Sequence, residues 1–226
     1  MPTMRLEDIG QQQFGNTADG VFNACDGASF WKLPLIAGDQ VTIDWESSPS
    51  SDGDPGATIL YIWPIGTSDF SINNADPLNE FSIGSNGKAE SKFTAGSSGS
   101  YPLMFQAPGC GSAASGAFDF TVYVNHRIVL STLTVSRINA HGGRVTIGVH
   151  TADGQPISSS TLKLTLQGYW NKGWHPIGRQ SARSGSVVFT LNLPAALEGS
   201  SIKVRVLAAG AGYLSNHTPT RSVRVS

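Results

Sequence analysis

The chain has 226 residues, 39% of them hydrophobic and 14% charged, with a formal net charge of −1 at pH 7. That length suggests two domains of ordinary size, and the longest apolar runs are far too short to span a membrane. Two cysteines and five scattered histidines form no CxxC, HxH or HExxH spacing, so neither a four-ligand zinc site nor a zinc-hydrolase motif is expected.

Residues 1–28 are polar and glycine-rich, and no apolar segment follows Met1. The chain is therefore expected to be made without Sec export, or to be an excerpt of a longer exported protein. This first segment reads as a strap onto a neighbouring subunit or as a lead-in lying on its own domain. Ser29 to Ile36 and Gln40 to Trp45 are expected to form a hairpin across Ala37-Gly38-Asp39. Val41, Ile43 and Trp45 fall on one of its faces, Thr42 and Asp44 on the other. Ser47 to Gly56 (SSPSSDGDPG) is a loop. Ala57 to Trp63 (ATILYIW) is apolar on both faces, as a central strand would be. After a long loop, Pro64 to Asn79, come Phe81 to Ile83 and Ala89 to Phe93, joined at Asn86-Gly87, a hairpin signal. Ser100 to Ala107 and Ala117 to Val124 finish this set. The order is similar to the jelly-roll of the bacterial pre-peptidase C-terminal domains over about residues 28–125. The pieces that carry the likeness are SFWKLPLIAGDQVTIDW, TILYIWPIG, GSSGSYPLMFQAPG and GAFDFTVYV; the cysteines are not part of that pattern.

Asn125-His126-Arg127 has no Pro/Gly/Ser-rich linker around it, so a short, stiff junction is expected at 125–130. Beyond it, Leu162, Leu164 and Leu166 alternate with Lys163, Thr165 and Gln167, the period of a half-buried strand. Asn171-Lys172-Gly173 turns the chain, Trp174 to Gln180 is the next strand, and Ser184-Gly185 leads back into Val187 to Leu191. Ile202 to Val206 and Arg221 to Val225 follow. Trp174, Val188, Leu191, Val204 and Val206 are the expected core, while Trp170, beside the polar turn, is the expected exposed aromatic. From the GW-x-x-I-G strand through SGSVVFTL to AGAGYLSNHT, this resembles the bacterial immunoglobulin-like repeats of surface proteins and phage virion proteins, over about 127–226. The expected fold is all-β: a jelly-roll-like sandwich at 1–125 and an immunoglobulin-like sandwich at 126–226.

Chemistry is sparse. Gly96 to Ser100 (GSSGS) misses the nucleophile-elbow spacing, and no glycine-rich phosphate loop precedes a helix. No catalytic or cofactor-binding residue is expected. Asp52 and Asp54 could offer carboxylates to calcium, although a solvated loop is the preferred reading. Cys25 and Cys110 are read as two free thiols; if paired, they would close a long loop worth about 4 kcal/mol. Trp31, Tyr61 and Trp63 could form a platform for sugar rings, set against core packing, and Trp170 is a further candidate ligand contact.

Two function classes remain. One is a non-enzymatic structural or decorating component, a phage virion protein of head or tail, partnered by other virion proteins or by copies of itself. The other is a secreted, extracellular or cell-surface module whose partner is a surface protein or a glycan. Neither nucleic-acid binding nor membrane insertion is expected. Charge adds a direction. Four basic residues stand against fourteen acidic ones up to Asn125, a balance of −10; from His126 onward eleven stand against two, +9. A split of this size reads as solubility alone or, preferably, as docking of the basic half onto an acidic surface, a scaffold or the acidic half of the next copy, because opposite potentials steer encounter and fix orientation.

Overall fold

The computed structural model describes residues 16–18, 28–48, 59–67, 76–83, 87–106, 117–136, 142–191 and 193–226. Asp52, Asp54, Cys25 and Cys110 lie outside these residues. The chain divides into two compact units, Met1–Asn125 and His126–Ser226. Each is built from antiparallel sheets, and the fold is an all-β sandwich.

The first unit contains β1 (Asn16–Ala18), β2 (Ala28–Leu35), β3 (Gln40–Ser48), β4 (Ile59–Ile62), β5 (Asn79–Ser82), β6 (Lys88–Thr94), β7 (Gly99–Gln106) and β8 (Ala117–Asn125). One sheet runs β1-β8-β3-β6 and the other β2-β7-β4-β5. The pairing is nested: β1 with β8, β2 with β7, β3 with β6, and β4 with β5. Successive nested pairs belong to alternate sheets, so the chain changes sheet at every connection except β4–β5. This is the jelly-roll order. It corrects both expected hairpins, since β2 and β3 lie in different sheets, as do β5 and β6. The turn at Gly38 (φ 88°) is real, but it hands the chain across the sandwich. Asp39 is buried there, and its Oδ2 accepts the Ile36 N–H at 2.9 Å. The Gly38 and Ala95 N–H groups bond Ala95 and Asp39 carbonyls at 2.7 and 2.9 Å, which ties the turn to the end of β6. β4 is central in its sheet, as its two apolar faces suggest.

The inner faces of both sheets supply one core. Leu33 and Leu35 meet Val41, Ile43 and Trp45, and Leu60, Leu103 and Phe105 meet Phe120 and Val122. Rings from opposite sheets join it: Phe105 lies 4.8 Å from Phe120 and 5.6 Å from Trp45. The Trp45 indole N–H donates to the buried Ser91 hydroxyl at 3.1 Å, so burial of that pair leaves neither group unsatisfied.

The second unit contains β9 (Ile128–Leu130), β10 (Thr134–Val135), β11 (Arg144–Thr151), β12 (Ser159–Trp170), β13 (Gly173–Ala182), β14 (Ser186–Thr190), a 3-10 turn at Ala195–Leu197, β15 (Ser201–Gly210), β16 (Tyr213–His217) and β17 (Arg221–Arg224). β10-β11-β14, with β9 also on β11, faces β13-β12-β15-β16, with β17 also on β15. Thus β16 and β17 share one side of β15 and are interrupted at 218–220. Thr218 repairs the gap: its N–H donates to the Val206 carbonyl at 2.9 Å, and its Oγ1 accepts the Val206 N–H at 3.0 Å. Leu191, Val204 and Val206 are in the core as expected. Val188 is not; it is 47% exposed. Period two places Val187, Phe189 and Leu191 on one face, so Val188 must point away.

Candidate functional site

The candidate face is built on β12. Leu162, Leu164, Leu166 and Gly168 point to the core, and Lys163, Thr165, Gln167 and Tyr169 point outward. The same count carries Trp170 inward, where it packs against the core cluster. Gly168 makes this room: a Cβ there would stand 2.5 Å from the Trp170 ring and 2.8 Å from Ile177. His175 stacks on Trp170 at 4.4 Å and 19°. Asn171 and Lys172 have φ of 47° and 64°, both left-handed, as in a two-residue type I′ hairpin. That turn sets Trp174 directly opposite Tyr169, hence outward. The two tryptophans therefore exchange their expected roles. Trp170 is the packing residue, and Trp174, half-buried and outside the core cluster, belongs to the surface.

Register then gathers charge around Trp174. Lys203 and Arg205 of β15 stand opposite Tyr169 and Gln167, while Arg179 and Ser181 of β13 stand opposite Thr165 and Lys163. Exposed Lys172 occupies the turn tip beside them. Among the described residues at these positions none is acidic. The Arg205 guanidinium carbon lies 4.0 Å from the Trp174 ring centroid. Its Nε donates to Gln167 Oε1 at 2.9 Å. Tyr169, 37% exposed, meets Trp174 edge-on at 5.4 Å and 62°. Lys163 Nζ donates to Ser181 Oγ at 2.7 Å. A guanidinium held over a ring by a cation–π contact retains terminal N–H groups that can pair with a carboxylate or sulfate. This face combines anchored cations, an aromatic pair and neutral hydrogen-bonding side chains on a rigid sheet.

The other candidates do not assemble. Trp31 packs into the core of the first unit, 5.2 Å from Phe120. Tyr61 and Trp63 keep company with each other, rings 5.9 Å apart, and Trp63 is only 6% exposed. Trp31 and Trp63 each bury an indole N–H that has no hydrogen-bond partner among the described residues. Burial, and after it the Glu80 carboxylate, raise the Tyr61 phenol above its ordinary value. A cleft of about 410 Å³ in the first unit is lined by Ile65, Leu78, Phe93 and Tyr101, among others. The Tyr101 hydroxyl is already spent on both backbone groups of Ser97. A groove of about 340 Å³ in the second unit lies at the breaks between β9 and β10 and between β16 and β17, where Arg221 donates to the Leu133 carbonyl. Among the described residues, no three His, Cys, Asp or Glu side chains are placed to share a metal ion, and no helix is long and apolar enough to cross a membrane.

No protein-family model and no curated protein sequence matches the chain. Solved structures similar to it include PliG of Aeromonas hydrophila, a periplasmic inhibitor of g-type lysozyme, at 15% identity and TM-score 0.35; the match covers 55% of this chain and 94% of that one. A glycosyl hydrolase family 2 member of Bacteroides cellulosilyticus matches at 9% identity and TM-score 0.31, and β-glucuronidase 3 of Bacteroides uniformis at 9% and 0.29. Each of these two matches covers 92% of this chain but 28% of the enzyme. Likenesses of this size carry nothing about function.

Proposed function

We propose that the chain is a non-catalytic binding module, secreted or displayed at a cell surface, that attaches to carbohydrate through the outer face of β12, β13 and β15. The observation that carries this reading is the cluster of Tyr169, Trp174, Lys203 and Arg205, held on a sheet by the Arg205–Gln167 hydrogen bond, the Arg205–Trp174 cation–π contact and the edge-on Tyr169–Trp174 pair. Aromatic rings with polar groups beside them are what a sugar ring requires: an apolar patch for its C–H face and partners for its hydroxyls. We read the second unit as immunoglobulin-like from its two-sheet order, and the first as a jelly-roll of the pre-peptidase C-terminal kind from its nested pairing. Both are scaffolds on which surface sites are grafted, so the face, not the fold, supports the function.

A role within a phage particle is the second reading. It draws on the charge split, −10 up to Asn125 and +9 from His126 onward, which would orient successive copies. The test of the first reading is a glycan array spanning neutral and acidic sugars, probed with the full chain and with Trp174→Ala. Glycan retention that drops in the variant supports it. Retention of no glycan refutes it.

A further inference from the structure

The charge of the face narrows the ligand. Lys163, Arg179, Lys203 and Arg205 share it, with Lys172 at its tip, and the two acidic residues of this unit lie elsewhere. Asp153 sits in the loop after β11, bonded to the Thr151 hydroxyl at 2.5 Å, and Glu198 follows the 3-10 turn. The cations therefore face solvent in an array that the unit itself does not neutralise. Neighbouring strands lie about 4.8 Å apart and alternate residues of one strand about 7 Å apart, so these cations are spread at repeated intervals over one sheet face. Such a spread of like charge matches a polymer that repeats an anion along its length better than it matches a single small ligand. Lys172 sharpens the point. It takes a left-handed φ of 64° that glycine would hold more cheaply, and so it keeps a cation at the tip at some conformational cost.

Resting on the carbohydrate reading above, we infer that the ligand is an anionic polysaccharide, one bearing carboxylate or sulfate groups, with Arg205 and Lys203 as its principal anion contacts. Arg205 is pre-organised by Trp174 and Gln167, and Lys203 stands directly across from Tyr169. A nucleic acid is the competing polyanion, and the aromatic geometry speaks against it. A base stacks over a whole aromatic face, whereas a sugar needs only a C–H-sized apolar patch, which the exposed Tyr169 ring still offers. The Trp174 ring already carries the Arg205 guanidinium, and Tyr169 stands edge-on to it, which leaves no parallel slot between them for a base.

The experiment is biolayer interferometry of the immobilised full chain against polygalacturonate, dextran sulfate, uncharged dextran and single-stranded oligothymidylate, each across a sodium chloride series. Polygalacturonate or dextran sulfate should bind and weaken with salt, and which of the two binds assigns carboxylate or sulfate. Lys203→Gln and Arg205→Gln should each lower the slope of log affinity against log salt by about 1, as removal of a polyanion contact does. Arg205→Lys keeps the charge but loses the stacked fork; it should weaken binding severalfold with an unchanged circular dichroism spectrum. Dextran binding as tightly as the charged glycans would overturn the inference while leaving the carbohydrate reading standing. Oligothymidylate binding as tightly as the acidic glycans would overturn it in favour of charge alone. Binding of none of the four would overturn the inference, and the glycan array then decides the carbohydrate reading separately.

Discussion

Thr218 offers a sharp test of how the second unit is held together. It is 1% exposed, and its hydroxyl accepts the Val206 N–H at 3.0 Å where the edge strand is interrupted. Its own carbonyl is turned away, to within 3.1 Å of His217 Nδ1. Thr218→Val preserves the shape and deletes the acceptor. The Val206 N–H then stays buried without a partner, which costs about 1–3 kcal/mol. Thr218→Ser keeps the acceptor and loses one methyl, about 0.8 kcal/mol. In a unit of about 100 residues, each 1 kcal/mol moves the melting temperature by about 4–8 °C. Differential scanning calorimetry of the full chain should therefore show the valine variant's second-unit transition falling by about 4–24 °C, centred near about 12 °C, and the serine variant's by about 3–6 °C. The order is the discriminating result, since valine is the closer match in volume. A valine variant as stable as the serine variant refutes the assignment of the hydroxyl as the substitute acceptor.

Other expectations follow from the same geometry. Trp170→Ala should cost about 3 kcal/mol, the low end for a large aromatic that is only half-buried, and Trp174→Ala about 1 kcal/mol, the loss of a cation–π contact at the surface; chemical denaturation of the two variants checks the order. Gly210→Ala should destabilise by at least about 1–3 kcal/mol, because its Cβ would stand 2.5 Å from the Thr161 carbonyl oxygen and 2.8 Å from the Leu162 Cα; a neutral thermal melt would contradict that close approach of β12 and β15. Because burial and Glu80 raise the Tyr61 phenol, the folded chain holds that proton more tightly than the unfolded one. The stabilisation is present below about pH 10 and is lost as pH rises through the folded value. In an alkaline titration followed by phenolate absorbance, Tyr61→Phe should remove a late-titrating group, and removal of an early one would count against the burial.

The strands were legible in the sequence because period two is a local property. Leu162, Leu164 and Leu166, like Val41, Ile43 and Trp45, declare their inward face without knowledge of any partner. Partners are another matter. Ala37-Gly38-Asp39 and Asn86-Gly87 carry genuine turn chemistry, but a turn residue reports only that the chain bends, not whether the next strand pairs beside it or crosses to the opposite sheet. The nested jelly-roll pairing is decided by contacts between distant segments, such as β2 with β7. The two tryptophans were misplaced for a different reason. Counting onward from Leu166 already puts Trp170 on the core side, but polar Asn171 and Lys172 beside it suggested exposure; the two-residue turn, not local polarity, sets the facing of Trp174. The basic–aromatic face was hidden because Lys203 and Arg205 lie far along the chain from Tyr169 and Trp174. The β12–β13 and β12–β15 registers together make them neighbours.

The most direct test of the binding face is an amide and indole NMR titration of the full chain with short polygalacturonate oligomers. Perturbations should concentrate at Gln167, Tyr169, Lys203 and Arg205 and at the Trp174 indole, and the amides of β10, β11 and β14 on the opposite sheet should stay still. Shifts confined to the first unit, shifts centred on the opposite sheet, or no shifts at saturating oligomer would contradict the assignment of this face.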